Sequence, residues 1–289
     1  MSNIEFVIEE RAADIGNFIV GRLLPVAEKR AVGPFVFIDH MARTELAEGE
    51  GLNVLPHPHI GLSTLTYLFE GVIHHKDSLG NSVEIEPGAV NWMTAGKGIV
   101  HSEKSPAELM DKKKVLHGMQ IWVALPKELE EMEPGFWHIP EKELPRWQEG
   151  GLEYKLIAGE ISNYKSPVPV HSPLYMIEVK SKKSGTVKIG SKLFGECGIY
   201  ILEGSVKEAN QEFGPQQMLI LNDSSQCEFE MGENSTIYVF GGEAFPERRY
   251  LFWNFVSSSR DIIEKAKEDW KAQKMGQVPG ETEFVPLPK

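Results

Sequence analysis

The chain has 289 residues, 41% hydrophobic and 25% charged, with 30 Lys and Arg against 42 Asp and Glu for a formal net charge of −12. This is an ordinary globular composition with room for two domains or one large double-layer β unit, and its acidic balance argues against direct contact with a nucleic-acid backbone. No apolar run is long enough for a membrane span, no secretory leader is evident, and Cys197 and Cys227 form no spacing pattern, so a cytoplasmic protein is expected.

Short strands dominate the first half. LNVLPHPHI, STLTYLFEGVIHH, SVEIEPGAVNWMTAG and GMQIWVALP carry β-branched and aromatic residues between Gly, Pro, Asn and Asp breaks. DSLGN at Asp77–Asn81 has turn chemistry and predicts a hairpin. The polar, proline-bearing stretch KELEEMEPGFWHIPEKELPRWQEGG reads as a linker or covering loop.

The β pattern resumes with LYMIEVKSKKSGTVKIG, GIYILEGSV, QQMLILND and CEFEMGENSTIYVFGG. YLFEGV at Tyr67–Val72 matches YILEGS at Tyr200–Ser205, and the stretch from Gly88 resembles that from Gly214, which fits a duplicated β-barrel unit. Near the end, Ser257–Ser259 supplies N-cap candidates, Asp261 falls in the first turn, and Ile262, Ile263, Ala266 and Trp270 share a face before Gly276. The expected division is residues 1–135 as a first domain, 136–165 as a linker, and 166–289 as a second domain with a helix over 258–275.

Chemistry concentrates in HPH and HSE. His57 and His59 are two apart, and that spacing in an extended chain projects both rings to one face. Pro56 and Pro58 keep the segment extended and confine it to a sheet edge or rim. His101 and Glu103 repeat the spacing after a glycine-rich turn. Hairpins between residues 59 and 101 would bring the pairs onto neighbouring strands, so that three imidazoles and one carboxylate converge. Such a set suits a first-row divalent metal with positions left for water, O₂ or substrate. Iron(II) is the first choice, with manganese, nickel, copper and zinc open on ligand type. The offsets of the duplication set Gly190 and Lys192 against the first pair and Cys227 and Phe229 against the second, leaving that half without metal ligands.

HPHIG, TYLFEG, the stretch from His75 to Asn81, WMTAGKGIVHSE and GPFVFIDH at Gly33–His40 together resemble the pirin family of the cupin superfamily, and WNFVSSSR with FVPLP is similar to its bacterial branch. The resemblance implies an all-β chain of two stacked cupin barrels (double-stranded β-helix, or jelly-roll) with a C-terminal helix. It also implies a mononuclear, usually iron, site in the first barrel on His57, His59, His101 and Glu103. Ser63 departs from the pattern, since the family usually carries a glutamate there. Two functions follow from the likeness. One is a quercetinase-type dioxygenase that opens a flavonol with O₂, with Glu103 as ligand or as base for the substrate hydroxyl. The other is a non-enzymatic redox sensor whose iron site alters a surface that meets a partner protein. Fold and ligands are common to both.

The remaining candidates rank lower. His74 and His75 face opposite ways on a strand, so at most one can point to the metal, and His75 is expected in a turn network. A buried hydrogen bond is expected for His40. His117, His138 and His171 lack partners at ligand spacing, Trp92 and Met93 are candidate pocket walls, and Lys112–Lys114 reads as a solvated loop.

Overall fold

The computed structural model describes residues 2–15 and 18–288. Strands dominate, and Arg260–Lys271 is the single α-helix among the described residues. Two compact units form. One gathers Ala12–Gly21, Phe37–Glu141 and Pro246–Lys289; the other gathers Met1–Arg11, Arg22–Val36 and Lys142–Phe245.

The first unit contains every histidine of the HPH and HSE motifs. Its four-stranded sheet runs in the order Asn53–His59, Ile99–Lys104, Ile73–Asp77, Ser82–Ile85. The HPH strand is therefore an edge strand, as its prolines require: each lacks the N–H that an interior strand must donate on one side or the other. The larger sheet places Leu62–Glu70 between Val90–Thr94 and Lys114–Ala124, with Gly135–Ile139 at one edge.

In the other unit the pattern recurs. Glu196–Glu203 lies between Gln217–Leu221 and Ser235–Gly242, and a small sheet runs Gly185–Lys188, Glu228–Met231, Val206–Glu208, Gln211–Phe213. Tyr67 and Tyr200 thus occupy equivalent central strands, which is the duplication read from the sequence. The interior of this unit is apolar: Val187, Cys227 and Phe229 are buried in one cluster with Ile199, Leu219 and Val239. Gly190 and Lys192 lie in a short 3₁₀ turn.

Three boundaries differ from expectation. Residues 136–165 form strands, with Gly135–Ile139 paired to Val90–Thr94 and Leu152–Ile161 paired to Leu174–Ser181. Charged residues on the exposed face of Arg146–Glu149, and prolines between the strands, hide that pattern in the sequence. The chain also enters the units in alternation, because Ile4–Glu9 pairs with Gln217–Leu221 in the second unit while the C-terminal helix belongs to the first. The helix is shorter than 258–275. Ser259 is still extended at φ −116° and ψ 131°, and Gln273 turns left-handed at φ 52°, before Gly276.

Candidate metal centre

The HPH and HSE strands pair antiparallel, with His101 opposite His57 and Ile99 opposite His59. Two equal spacings on adjacent strands therefore bring three imidazoles into one cluster. Ring centroids are 4.4 Å apart for His57 and His101, 5.1 Å for His57 and His59, and 5.0 Å for His59 and His101. One ring nitrogen from each lies within 4.8 Å of the others, and all three residues are buried.

Gly61 sets the turn that follows the HPH strand. Its φ is +67°, and an added Cβ would fall 1.9 Å from the Val256 carbonyl oxygen, so no other residue fits without displacing the backbone. The Gly61 amide donates to the Gly96 carbonyl at 2.9 Å, which ties HPHIG to TAGKG.

Second contacts orient the rings. His57 Nδ1 lies 2.9 Å from the Leu55 carbonyl oxygen, an obligate acceptor, so the proton sits on Nδ1 and Nε2 keeps its lone pair. His59 Nε2 faces His101 Nε2 at 3.1 Å. His59 Nδ1 is buried without a well-formed hydrogen bond, and the Asn254 main chain only partly offsets the effect of burial on the ring. Trp122 meets the His59 ring edge-on at 5.1 Å and stacks on Phe37 at 3.9 Å.

Burial keeps these imidazoles neutral. It pushes His57 down to about 4, and holds His59 and His101 well below the ordinary histidine range, with neighbouring imidazoles adding to the effect in all three. Neutral imidazole is the ligating form. Each neutral ring keeps one unprotonated nitrogen, which on His57 is Nε2, and at most one proton lies between the facing Nε2 atoms of His59 and His101. A cation at their centre satisfies all of them. The donor set fits a first-row divalent metal.

Glu103 takes a different place within the group. The pairing register slips between His101 and Glu103, which stands opposite Val54. Its carboxylate gathers with His75 and His101, one ligand atom from each lying within 4.8 Å of the others. The Thr66 hydroxyl sits 3.0 Å from a side-chain oxygen of both Glu103 and Gln120. Burial raises the Glu103 carboxyl above its usual range, against the opposing influence of His75 and Thr66.

His75 is nearer the centre than a turn role alone implies. It does join the turn network, with Nε2 at 3.3 Å from Asp77, whose other oxygen accepts the Leu79 and Asn81 amides. Its Nδ1 also lies 3.4 Å from His101 Nδ1, and its ring stacks on Phe136 at 4.5 Å. Strand alternation carried that signal: His75 is buried while His74 turns outward to Ser82.

Ser63 bonds Thr94 at 2.9 Å, and Thr94 accepts from the Trp92 indole at 3.1 Å. Ser63 is an odd number of residues from Thr66 along one strand, so it lies on the face away from Glu103. Trp92 shares that far face, and Met93 packs with Ala95, Ile99 and Phe136. His40 is buried with Nε2 3.0 Å from His117 Nε2, and His138 bonds Asn91 at 2.6 Å. No helix of the described residues is long and apolar enough to cross a membrane.

Comparison with known proteins agrees with this architecture. The Pirin family matches residues 17–123, and the Pirin C-terminal cupin domain matches residues 176–276. A pirin-like protein from Caulobacter vibrioides is 45% identical over 99% of this chain and 100% of its own. The crystal structure of a quercetin 2,3-dioxygenase from Acinetobacter baumannii superposes with a TM-score of 0.89 at 33% identity, covering 98% of this chain and 95% of that one. A bacterial pirin from Escherichia coli, solved in complex with nickel(II), shares the fold at a TM-score of 0.62 and 19% identity, over 83% of this chain and 99% of that one. The chain belongs to the pirin family and is built of two cupin domains, with a histidine cluster able to hold a metal in one of them.

Proposed function

We propose that the protein holds one divalent metal, iron(II) in first place, on His57, His59, His101 and Glu103, and uses it to open a flavonol ring with O₂. The observation that carries this reading is the convergence of three neutral, buried imidazoles, each keeping one unprotonated ring nitrogen, with ring nitrogens within 4.8 Å of one another. The likeness to the Acinetobacter quercetin 2,3-dioxygenase supports the substrate class. Manganese, nickel, copper and zinc fit the same donors.

A bound metal would act as a Lewis acid toward the substrate hydroxyl and leave a position for O₂. The chain supplies the rest. Leu55 fixes the His57 tautomer, so a lone pair points inward. Glu103, the one carboxylate of the set, raised by burial and in contact with Thr66, is the base for the hydroxyl proton. The Phe37 and Trp122 stack gives the site an apolar wall that limits water beside the histidines.

Metal analysis of fresh protein, paired with oxygen uptake over a panel of flavonols, tests the reading. One O₂ consumed per flavonol, at about one turnover per second or faster, is the expected result. Metal-loaded protein with no uptake, and with a protein partner captured in only one redox state, would replace the enzyme by the sensor.

A further inference from the structure

We infer that the segment after the C-terminal helix is a strap that fixes the two metal-bearing strands from outside, with Glu281 as its positioning residue. The inference rests on the metal reading above. After Lys271 the chain folds back within its own unit. Val278 is buried, and Leu287 packs on a cluster that includes Ile60, Val100 and Trp270. The Trp270 indole donates to the Val285 carbonyl at 3.0 Å, and the Val285 amide donates to the Pro56 carbonyl at 2.8 Å. One strap residue thus connects the helix to the open edge of the HPH strand, at the position just before His57.

Glu281 holds the other strand. Its Oε1 accepts from the Ser102 hydroxyl at 2.7 Å and its Oε2 from Lys104 Nζ at 2.5 Å. The Glu281 side chain is only 9% exposed, so this ion pair is screened less than a surface pair. Ser102 and Lys104 are two apart and share one face; His101 and Glu103 alternate with them on the other. A single carboxylate therefore grips the outward residues that flank Glu103. Any rotation of the strand that turned His101 or Glu103 off the metal would have to break those contacts. An edge strand with two prolines has few ladder bonds of its own, so an outside brace has leverage on it.

The test uses full-length protein loaded with zinc as a redox-inert probe. Readouts are the rate of zinc transfer to an excess chelator and amide exchange along residues 53–59 and 99–104. Glu281→Ala should lose zinc about tenfold faster and exchange faster in those two strands. Glu281→Gln keeps an acceptor for Ser102 and should restore most of the wild-type rate. Glu283→Ala, an exposed neighbour on the same segment, should match wild type. Unchanged zinc loss and exchange in Glu281→Ala would overturn the strap, as would faster exchange spread evenly over the whole unit. Wild-type protein that takes up no zinc would overturn the metal reading instead, and the exchange pattern alone would then decide the strap.

Discussion

His59 Nε2 and His101 Nε2 face each other at 3.1 Å, although the residues stand 42 positions apart in the chain. Both are buried and both are held neutral by that burial. Replacing His59 with alanine removes one of three converging nitrogens and is expected to lower metal content below about a tenth of wild type, consistent with loss of a primary ligand. Elemental analysis of the purified variant checks this, and an unchanged metal-to-protein ratio would count against the assignment.

Ser63 offers the opposite outcome. Its hydroxyl bonds Thr94 on the face of the strand away from Glu103. Ser63→Ala should cost about 1 kcal/mol, the net worth of one buried hydrogen bond, and leave metal stoichiometry untouched. Denaturant unfolding and metal analysis measure the two halves of that expectation. A loss of metal would place residue 63 in the site after all.

Trp122 stacks on Phe37 at 3.9 Å and abuts the His59 ring. Truncation to alanine should destabilise the protein by about 3–5 kcal/mol through the cavity it leaves. A shift in unfolding free energy below about 1 kcal/mol would show that the wall collapses readily and is not a fixed boundary of the site.

Acid should weaken the metal-free protein. His57 and His117 are both pushed down to about 4, mainly by burial. The unfolded chain binds these protons near the ordinary pKa of about 6.5, whereas the folded chain refuses them until about pH 4. Their contribution is full above about pH 6.5 and is lost as pH falls toward 4, with the larger share from the fully buried His57. Denaturant midpoints measured from about pH 7 to about pH 5 should fall steadily, and a flat profile would contradict these burial effects.

Much of the centre was legible because β geometry is periodic. The spacing of His57 and His59 fixes their common face without any knowledge of partners, and the prolines mark an edge strand, which the sheet order bears out. Pairing register was not legible. The HSE strand also pairs, in unbroken register, with the strand that sets His75 opposite Glu103, and only the backbone shows it. The face of Ser63 was hidden for a related reason: Gly61, at φ +67°, breaks the alternation between the HPH strand and the next, so counting onward from His59 fails. His40 and His117 came together from strands too distant for spacing to relate them. The stretch 136–165 read as a linker because its opening is polar and broken by prolines around the short, exposed Arg146–Glu149, which masked the ten-residue strand Leu152–Ile161 with Leu152, Leu156 and Ile157 deeply buried.

X-ray absorption of the metal-loaded wild-type protein tests the central claim most directly, because it reports the atoms bound to the ion. Three imidazole nitrogens and at least one oxygen in the first coordination sphere, falling to two imidazoles or to no bound metal in His101→Ala, is the expected result. A sphere without histidine nitrogens, or one unchanged by that substitution, would contradict it.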